Sequence, residues 1–600
     1  MVISRKWLTI LATTALVSGL GGCTKNKDSE TKADGSKPKI FNYLRTAAHK
    51  SLDPAKQFDA ASAQIVSNVY DTLLQYDYLA RPYKLVPGLV EKMPEKQKDG
   101  LTYIFTLRKG VVFHDDECFK DKKGRELTSD DAIYTIKRFA DANVNVKSYM
   151  LIAGFVEGLD AFREQTKKLG IKKTDYTKLD VTGLRKIDNY SFSVKFNREN
   201  PLAFFPFAFS GMSIVPKEAV EKYGDDFAKN PVGTGPFYIK EYSRRGKMIL
   251  AKNTKYFGTY PSEGSAEDKA AGLLADSGKK IPFLDEVHLP LIEEPQPAML
   301  KFLKGEIHWI GMNKDDFSRM AEKDKAGKFI LNAEYAKKFN MYTEPGLYAG
   351  FLRFNLNNQL VGKNKALRQA FAYALNTGKW IELMRNGRGK ALKTIVPHPI
   401  AGSENDIDFE YYTQNIEMAK KKLAEAGYPG GKGLPVITID YRSSNKDTRQ
   451  DFEFVRNELA AVGIKVKANF QTFSAFLKRV ESGNFQIIDA AWGADFPDGE
   501  NFYQLLYGPN KIPGPNSSNF ANKKYDELYE KSRFMENGQE RFKLFKEMSE
   551  IVKEEVPLIL RYNYLGFGLM QKNVRNLKRN MMVEDPYKYL NLGPEGKVSH

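Results

Sequence analysis

Cysteine is nearly missing from this 600-residue chain, which holds only Cys23 and Cys118. At most one disulfide can form, so the fold must rest on a hydrophobic core and not on a covalent framework. Histidine is almost as scarce. The 6 residues are scattered, with no pair at helical spacing and no thiolate cluster, so no ligand spacing for zinc or nickel is visible. There is no G-x-S-x-G elbow and no GxxxxGK[ST] phosphate loop; a catalytic constellation assembled from distant residues would leave no such trace. After the N-terminal segment no second long apolar run appears, which excludes further membrane helices of ordinary length. The formal charge is +18, yet no uninterrupted Lys/Arg block stands out. This is the pattern of a solvated basic surface, helped by anionic lipid headgroups, and not of a nucleic-acid arm. Six hundred residues suffice for several domains with developed cores.

The N-terminus carries Arg5 and Lys6, then a nearly chargeless stretch from Trp7 to Leu20, too short to span a bilayer comfortably. It ends in Leu20-Gly21-Gly22-Cys23, which resembles the bacterial lipobox. The expectation is a signal peptide over 1–22, with the Cys23 thiol acylated and exposed as the mature N-terminus. Acyl chains add about 0.8 kcal/mol per buried methylene, so two or three hold a protein at a membrane. Residues 24–39 offer almost nothing to bury and read as a flexible tether. With Cys23 acylated, Cys118 stands alone, a buried small hydrophobe by expectation and not a reactive thiol.

Strand signals dominate the first part of the chain. Tyr103, Phe105 and Leu107 alternate with Thr102, Ile104 and Thr106, and Arg108-Lys109-Gly110 then reads as a turn into Val111-Val112-Phe113, a predicted hairpin. Phe192, Val194 and Phe196 alternate again. Residues 262–280, rich in Gly, Ala, Ser and charge, read as an exposed insertion loop. Later the pattern changes to helix followed by strand. Ile416, Ala419, Leu423 and Ala426 share one helical face, Gly427 caps it, Pro429 bars continuation and 436–439 reads as a strand. Phe452, Val455, Leu459 and Val462 repeat the plan, with Gly463 as cap and 464–470 as the next strand. Such units argue for an α/β lobe.

Several stretches then line up in order. They are Ser51-Leu52-Asp53-Pro54 with Ile65 to Tyr76; Pro87-Gly88-Leu89-Val90; Asp99 to Gly110; Thr128-Ser129-Asp130-Asp131-Ala132; Gly233-Thr234-Gly235-Pro236-Phe237 with Asn253 to Phe257; and Ala366 to Asn376, where Asn376 replaces the usual Asp. Together they resemble the family 5 extracellular solute-binding proteins of ABC importers, over nearly the whole chain after the tether. The resemblance implies an α/β, periplasmic-binding-protein-like two-lobed clamp of type II, in its large three-domain variant with two hinge crossings. Lobe 1 would span 40–347, with an extra subdomain at about 83–230, lobe 2 would span 348–560, and 561–600 would return to lobe 1. Closure would bury a ligand between the lobes.

Residues 485–491 read as a short buried strand that empties into Trp492-Gly493-Ala494-Asp495-Phe496. A loop at the carboxyl end of an α/β strand is where such folds place ligands. Trp492 offers a flat wall, Gly493 lets a ligand backbone approach, Ala494 extends the loop, and Asp495 supplies a fixed negative charge. In oligopeptide-binding members of the resembled family the matching acid holds the peptide's α-ammonium, which makes Asp495 the leading ligand residue; the alternative is that it caps a local turn. Asp498 and Glu500 suit the start of the next helix. Tyr562 and Tyr564 fall where the chain recrosses the hinge, facing either ligand or core. His114-Asp115-Asp116-Glu117 matches a solvent-facing turn of the family.

What the resemblance implies is a monomeric, lipid-anchored protein that captures peptides and hands them to an ABC permease, with no cofactor, no metal and no nucleic-acid partner, and no enzymatic role. The same clamp for an oligosaccharide, haem or metal chelate is the alternative, with a secreted hydrolase or a surface receptor with a dead cleft behind it.

Overall fold

A computed structural model describes residues 37–57, 59–512, 514–583 and 586–594. Cys23, the signal segment and most of the tether lie outside them.

The first lobe is built on two four-stranded sheets. One runs Ile40–Asn42, Glu286–Leu289, Met248–Lys252, Phe237–Glu241, with the first pair parallel. The other runs Glu95–Lys96, Thr102–Thr106, Ser191–Lys195, Leu184–Lys186, all antiparallel. A single core spans both, from Phe41 through Phe105, Phe192, Phe237 and Leu250 to Tyr587 and Leu590. The helix Ser129–Ala140 covers the second sheet as its sequence demands: the Asp131 carboxylate accepts from Thr128 N at 2.9 Å, and Arg125 clamps the same carboxylate at 2.7 Å.

The second lobe carries the helix-to-strand units. Helix Ile416–Glu425 is capped by Asn415 and buries Ala419 and Leu423, and strand Ile437–Tyr441 follows. Helix Lys446–Ala460 buries Phe452, Val455 and Leu459 and leads to strand Val466–Phe470, parallel to its predecessor. Between them Gly463 takes φ +95°, and a Cβ there would lie 2.4 Å from the Gly430 carbonyl oxygen, so only glycine fits.

Two long strands join the lobes. Phe339–Phe354 and Leu558–Gln571 run antiparallel to each other across the whole gap, with register shifts between Pro345 and Ala349 and between Ala349 and Phe351. Below the irregularity the pair continues into Trp309–Gly311 of the first lobe, and above it into Ile487–Gly493 of the second. The bridge is therefore a twisted ribbon whose weakest rungs lie at 345–351. Among the described residues no helix is long and apolar enough to cross a membrane.

Four expectations need correction. Thr102–Thr106 is a strand, but its partners are Glu95–Lys96 and Ser191–Lys195, and the segment after Gly110 pairs instead with 125–127, through Phe113 N to Arg125 O at 3.0 Å and Leu127 N to Val111 O at 2.8 Å. Alternation identifies a strand without identifying its neighbour. Residues 262–280 are largely exposed but not a free loop: they contain the helix Ala266–Ala270, and Asp268 and Asp276 are tied to Lys578, Asn576 and Asn591 at 2.6–2.9 Å. His114 is not solvent-facing. Its ring is buried with Nε2 at 2.9 Å from Gly235 O, and burial pulls its pKa down to about 4, whereas Asp115 does face the surface lysines Lys123 and Lys255. Cys118, expected to be buried, is only half-buried, while burial beside Asp116 pushes its thiol up to about 12, in keeping with the unreactive thiol expected.

Candidate functional site

The strand Ile487–Gly493 is fixed on one side by the hinge strand, with Trp492 opposite Ala349 and Gly493 opposite Tyr348. The chain leaves the sheet at Ala494, whose N–H still donates to Leu347 O at 2.9 Å. The turn that follows is organised by Asn501, a fully buried residue at the start of the short helix Glu500–Tyr503. Its Oδ1 accepts from Trp492 Nε1 at 3.0 Å and from Asp495 N at 3.1 Å, while its Nδ2 donates to Asp495 Oδ2 at 3.0 Å. One amide thus sets the indole, the loop backbone and the acid together. Beneath it Asp498 accepts from Glu500 N at 2.8 Å and from both terminal nitrogens of Arg541 at 2.7 and 2.8 Å. Glu500 begins the helix, as expected, while Asp498 lies two residues before it and holds the Glu500 N–H, its stronger role being half of a buried ion pair. Glu500 is buried too, accepting from the Tyr529 hydroxyl.

Ala494 and Asp495 face a cavity of about 270 Å³ whose other walls come from the first lobe, including Asn68, Asp71, Gln75, Tyr76 and Phe209, and from the C-terminal return, including Met582 and Lys588. The second lobe closes over it through Phe496, stacked on Phe205 at 5.3 Å and 15°, with Tyr76 stacked behind Phe205 at 6.4 Å. Asp495 is solvent-exposed, yet the protein packed around it raises its carboxyl above the ordinary aspartate value, with the Asn501 amide pulling the other way. The Tyr76 phenol is pushed up by burial and then by the Asp495 charge. Among the described residues no ion pair reaches Asp495, and its carboxylate has one neutral donor, Asn501.

The remaining sequence candidates separate from Asp495. Trp492 packs into the second lobe's cluster around Phe502 and Phe545, its ring edge held by Asn501. A Cβ on Gly493 would meet the Tyr348 ring at 3.0 Å, so this glycine makes room for a neighbouring side chain. Tyr562 lies against Trp380 at 4.6 Å and under the Arg385 guanidinium at 5.5 Å. Tyr564 lines a second groove of about 350 Å³ with Met312, Arg388, Asp447 and Asp489. There Arg561 links Asp451 at 2.7 Å and Asp489 at 3.0 Å, and burial with the Asp451 charge raises the Asp489 carboxyl. Asn501, Tyr76 and Lys588 escaped the sequence reading. Asn501 had a local signal, an amide six residues past the acid; the other two reach the cavity only through tertiary folding. Among the described residues no group of three or more His, Cys, Asp or Glu is placed to hold a metal.

A family model described as bacterial extracellular solute-binding proteins, family 5 middle, matches residues 84–514. The chain belongs to this family. Among curated relatives, the dipeptide-binding protein of Escherichia coli is 25% identical over 554 residues, 91% of this chain and 90% of that protein. Haem-binding protein A of Haemophilus influenzae is 25% identical over 602 residues, 97% of each. Among solved structures, the periplasmic binding protein DppA of Helicobacter pylori in complex with the peptide STSA superposes with TM-score 0.67 at 23% identity, covering 92% of this chain and 98% of that one. The two-lobed clamp is thus the family 5 fold, with the cavity at its interlobe cleft.

The raised Asp495 carboxyl gives a signed expectation. If Asp495 holds a cationic ligand, that ligand needs the ionised acid, so affinity should be full at neutral pH and fall as the pH drops through a value above that of an ordinary aspartate. Calorimetry from about pH 7 to about pH 4 checks this. Asp495→Asn should bind weakly and lose the acid limb, and an unchanged limb in that variant would assign it to another group.

Proposed function

We propose that this protein captures short peptides with a free N-terminus in its interlobe cleft and, anchored through an acylated Cys23, delivers them to an ABC permease. The observation that carries the reading is the Asp495 carboxylate, which faces the cavity with a single neutral partner among the described residues. Asp495 is exposed in the cleft, and closing the lobes over it without a cation would cost several kcal/mol, a cost that a ligand ammonium relieves. Closure thereby becomes conditional on the ligand's charge. The names of the Escherichia coli relative and the Helicobacter pylori structure point to peptides, which supports this choice over the haem reading that the Haemophilus influenzae relative raises.

Native mass spectrometry of the purified protein tests the ligand class: short peptides released on unfolding are the expected result, and a haem or sugar mass overturns it. Small-angle scattering should show a smaller radius of gyration with peptide, because the 345–351 rungs of the ribbon let the lobes approach. The anchor has its own test. Cys23→Ser should abolish partition into detergent while Cys118→Ser leaves it intact, and equal partition of both with wild type sinks the lipid anchor.

A further inference from the structure

The cavity that contains Asp495 also contains a cation. Lys588 sits in the single turn Tyr587–Tyr589 of the C-terminal return, which is locked into the first lobe by Tyr587 and Leu590, both 0% exposed, and by a 2.8 Å hydrogen bond from Gln64 Nε2 to the Tyr587 hydroxyl. Its stem lies near the Tyr589 and Tyr256 rings, with Nζ 5.1 and 5.9 Å from their centroids. The ammonium donates to Gln75 Oε1 at 3.0 Å and to the Tyr256 hydroxyl at 3.4 Å, two neutral partners for a group with three N–H donors.

The nearby acid is Asp71, and it is committed elsewhere. Its two oxygens accept from Thr234 Oγ1 at 2.9 Å and from the Tyr256 hydroxyl at 3.0 Å, so that hydroxyl stands between the two charges, and no ion pair within 4 Å joins Lys588 to any carboxylate among the described residues. Lys588 is therefore held in place at the cavity wall by neutral partners, with the Asp71 charge felt across the Tyr256 hydroxyl and no ion pair to it among the described residues. Asp495 comes from the second lobe and Lys588 from a segment packed on the first, so the cavity is lined by opposite charges from its two halves.

We propose that Lys588 receives a carboxylate of the bound ligand, making the cleft selective for short zwitterionic peptides. This rests on the reading of Asp495 as the ammonium site. Volume agrees with a small ligand: about 270 Å³ lies just below the roughly 300 Å³ at which ligand pockets ordinarily begin. The carboxylate is either the peptide's C-terminus or an acidic side chain, and the test separates them.

Calorimetry would use the full chain as wild type, Lys588→Met and Lys588→Arg. The ligands are trialanine, its C-terminal amide, its N-acetyl form, and the amides of Ala-Glu-Ala and Ala-Gln-Ala. Amidating trialanine should weaken binding to wild type by about 10- to 100-fold, the range of a charge-assisted hydrogen bond. Lys588→Met should bind trialanine that much more weakly and ignore amidation, while Lys588→Arg keeps the discrimination. Matching thermal midpoints for the three proteins confirm that they are folded. If the glutamate amide recovers the affinity that the glutamine amide lacks, the carboxylate is a side chain's; if not, it is the terminus. Equal binding of trialanine and its amide to wild type, with both Ala-Glu-Ala and Ala-Gln-Ala amides binding alike, overturns the proposal, as does full discrimination by Lys588→Met. The N-acetyl form keeps the two readings apart: a loss on acetylation with neither a loss on amidation nor a preference for the glutamate amide leaves Asp495 standing and removes Lys588, a carboxylate effect without a loss on acetylation does the opposite, and no binding of any peptide removes both.

Discussion

An Asp495→Ala variant is expected to bind a free-amine peptide about 2 to 5 kcal/mol more weakly than wild type, because the substitution strands an ammonium in a closed, partly desolvated cleft. N-acetylation should cost the wild type a similar amount, since it deletes the same charge pair from the ligand's side. The two losses should not add. Calorimetry on the four combinations gives the coupling energy directly. Strictly additive losses would make Asp495 a structural element of its loop, held by Asn501 for the sake of Trp492, and undiminished binding of the acetylated peptide would move the ligand to another solute class.

Removing the Arg541 guanidinium should destabilise the second lobe by about 3 to 5 kcal/mol, the cost of leaving a buried carboxylate unpaired. Arg541 is 1% exposed, grips both oxygens of Asp498 and also donates to Ser532 O at 2.9 Å. Asp498 in turn holds the first N–H of the helix that carries Asn501. The loss should therefore appear twice, as a lower denaturant midpoint and as weaker peptide binding in the fraction that remains folded. Arg541→Met combined with Asp498→Leu should be less costly than Arg541→Ala alone, since no bare charge is left behind. An Arg541→Ala midpoint equal to wild type would show that water reaches Asp498.

The elements that the sequence announces are those whose causes are local. The face of Ala419 and Leu423, the asparagine cap before it and the left-handed Gly427 after it all lie within a dozen residues, and the helix and strand follow as read. The loop after Trp492 is equally local, and so is the acid at its tip. What the sequence conceals is partnership at a distance. Phe105 alternates correctly but stacks on Phe192, across a strand pair separated by almost ninety residues. The charge-rich stretch containing Asp268 looks like solvent-facing loop because its counter-charge, Lys578, lies 310 positions away. Lys588 is the same case at the ligand site. A lysine in a polar tail carries no mark of a cavity until Tyr587 and Leu590 are seen to be buried in the first lobe.

The ribbon that joins the lobes also fixes an order of assembly. Trp309–Gly311 finds its neighbouring strand only at Gly568–Met570, and the first lobe's core is incomplete until Tyr587 and Leu590 dock beside Phe41. The second lobe's sheet, by contrast, has all its strands in hand once Tyr564 has paired with Gly389. A chain that becomes available from its N-terminus therefore finishes its later-arriving lobe first. The earlier lobe keeps apolar surface uncovered until Tyr587 and Leu590 dock, an interval that favours aggregation and proteolysis.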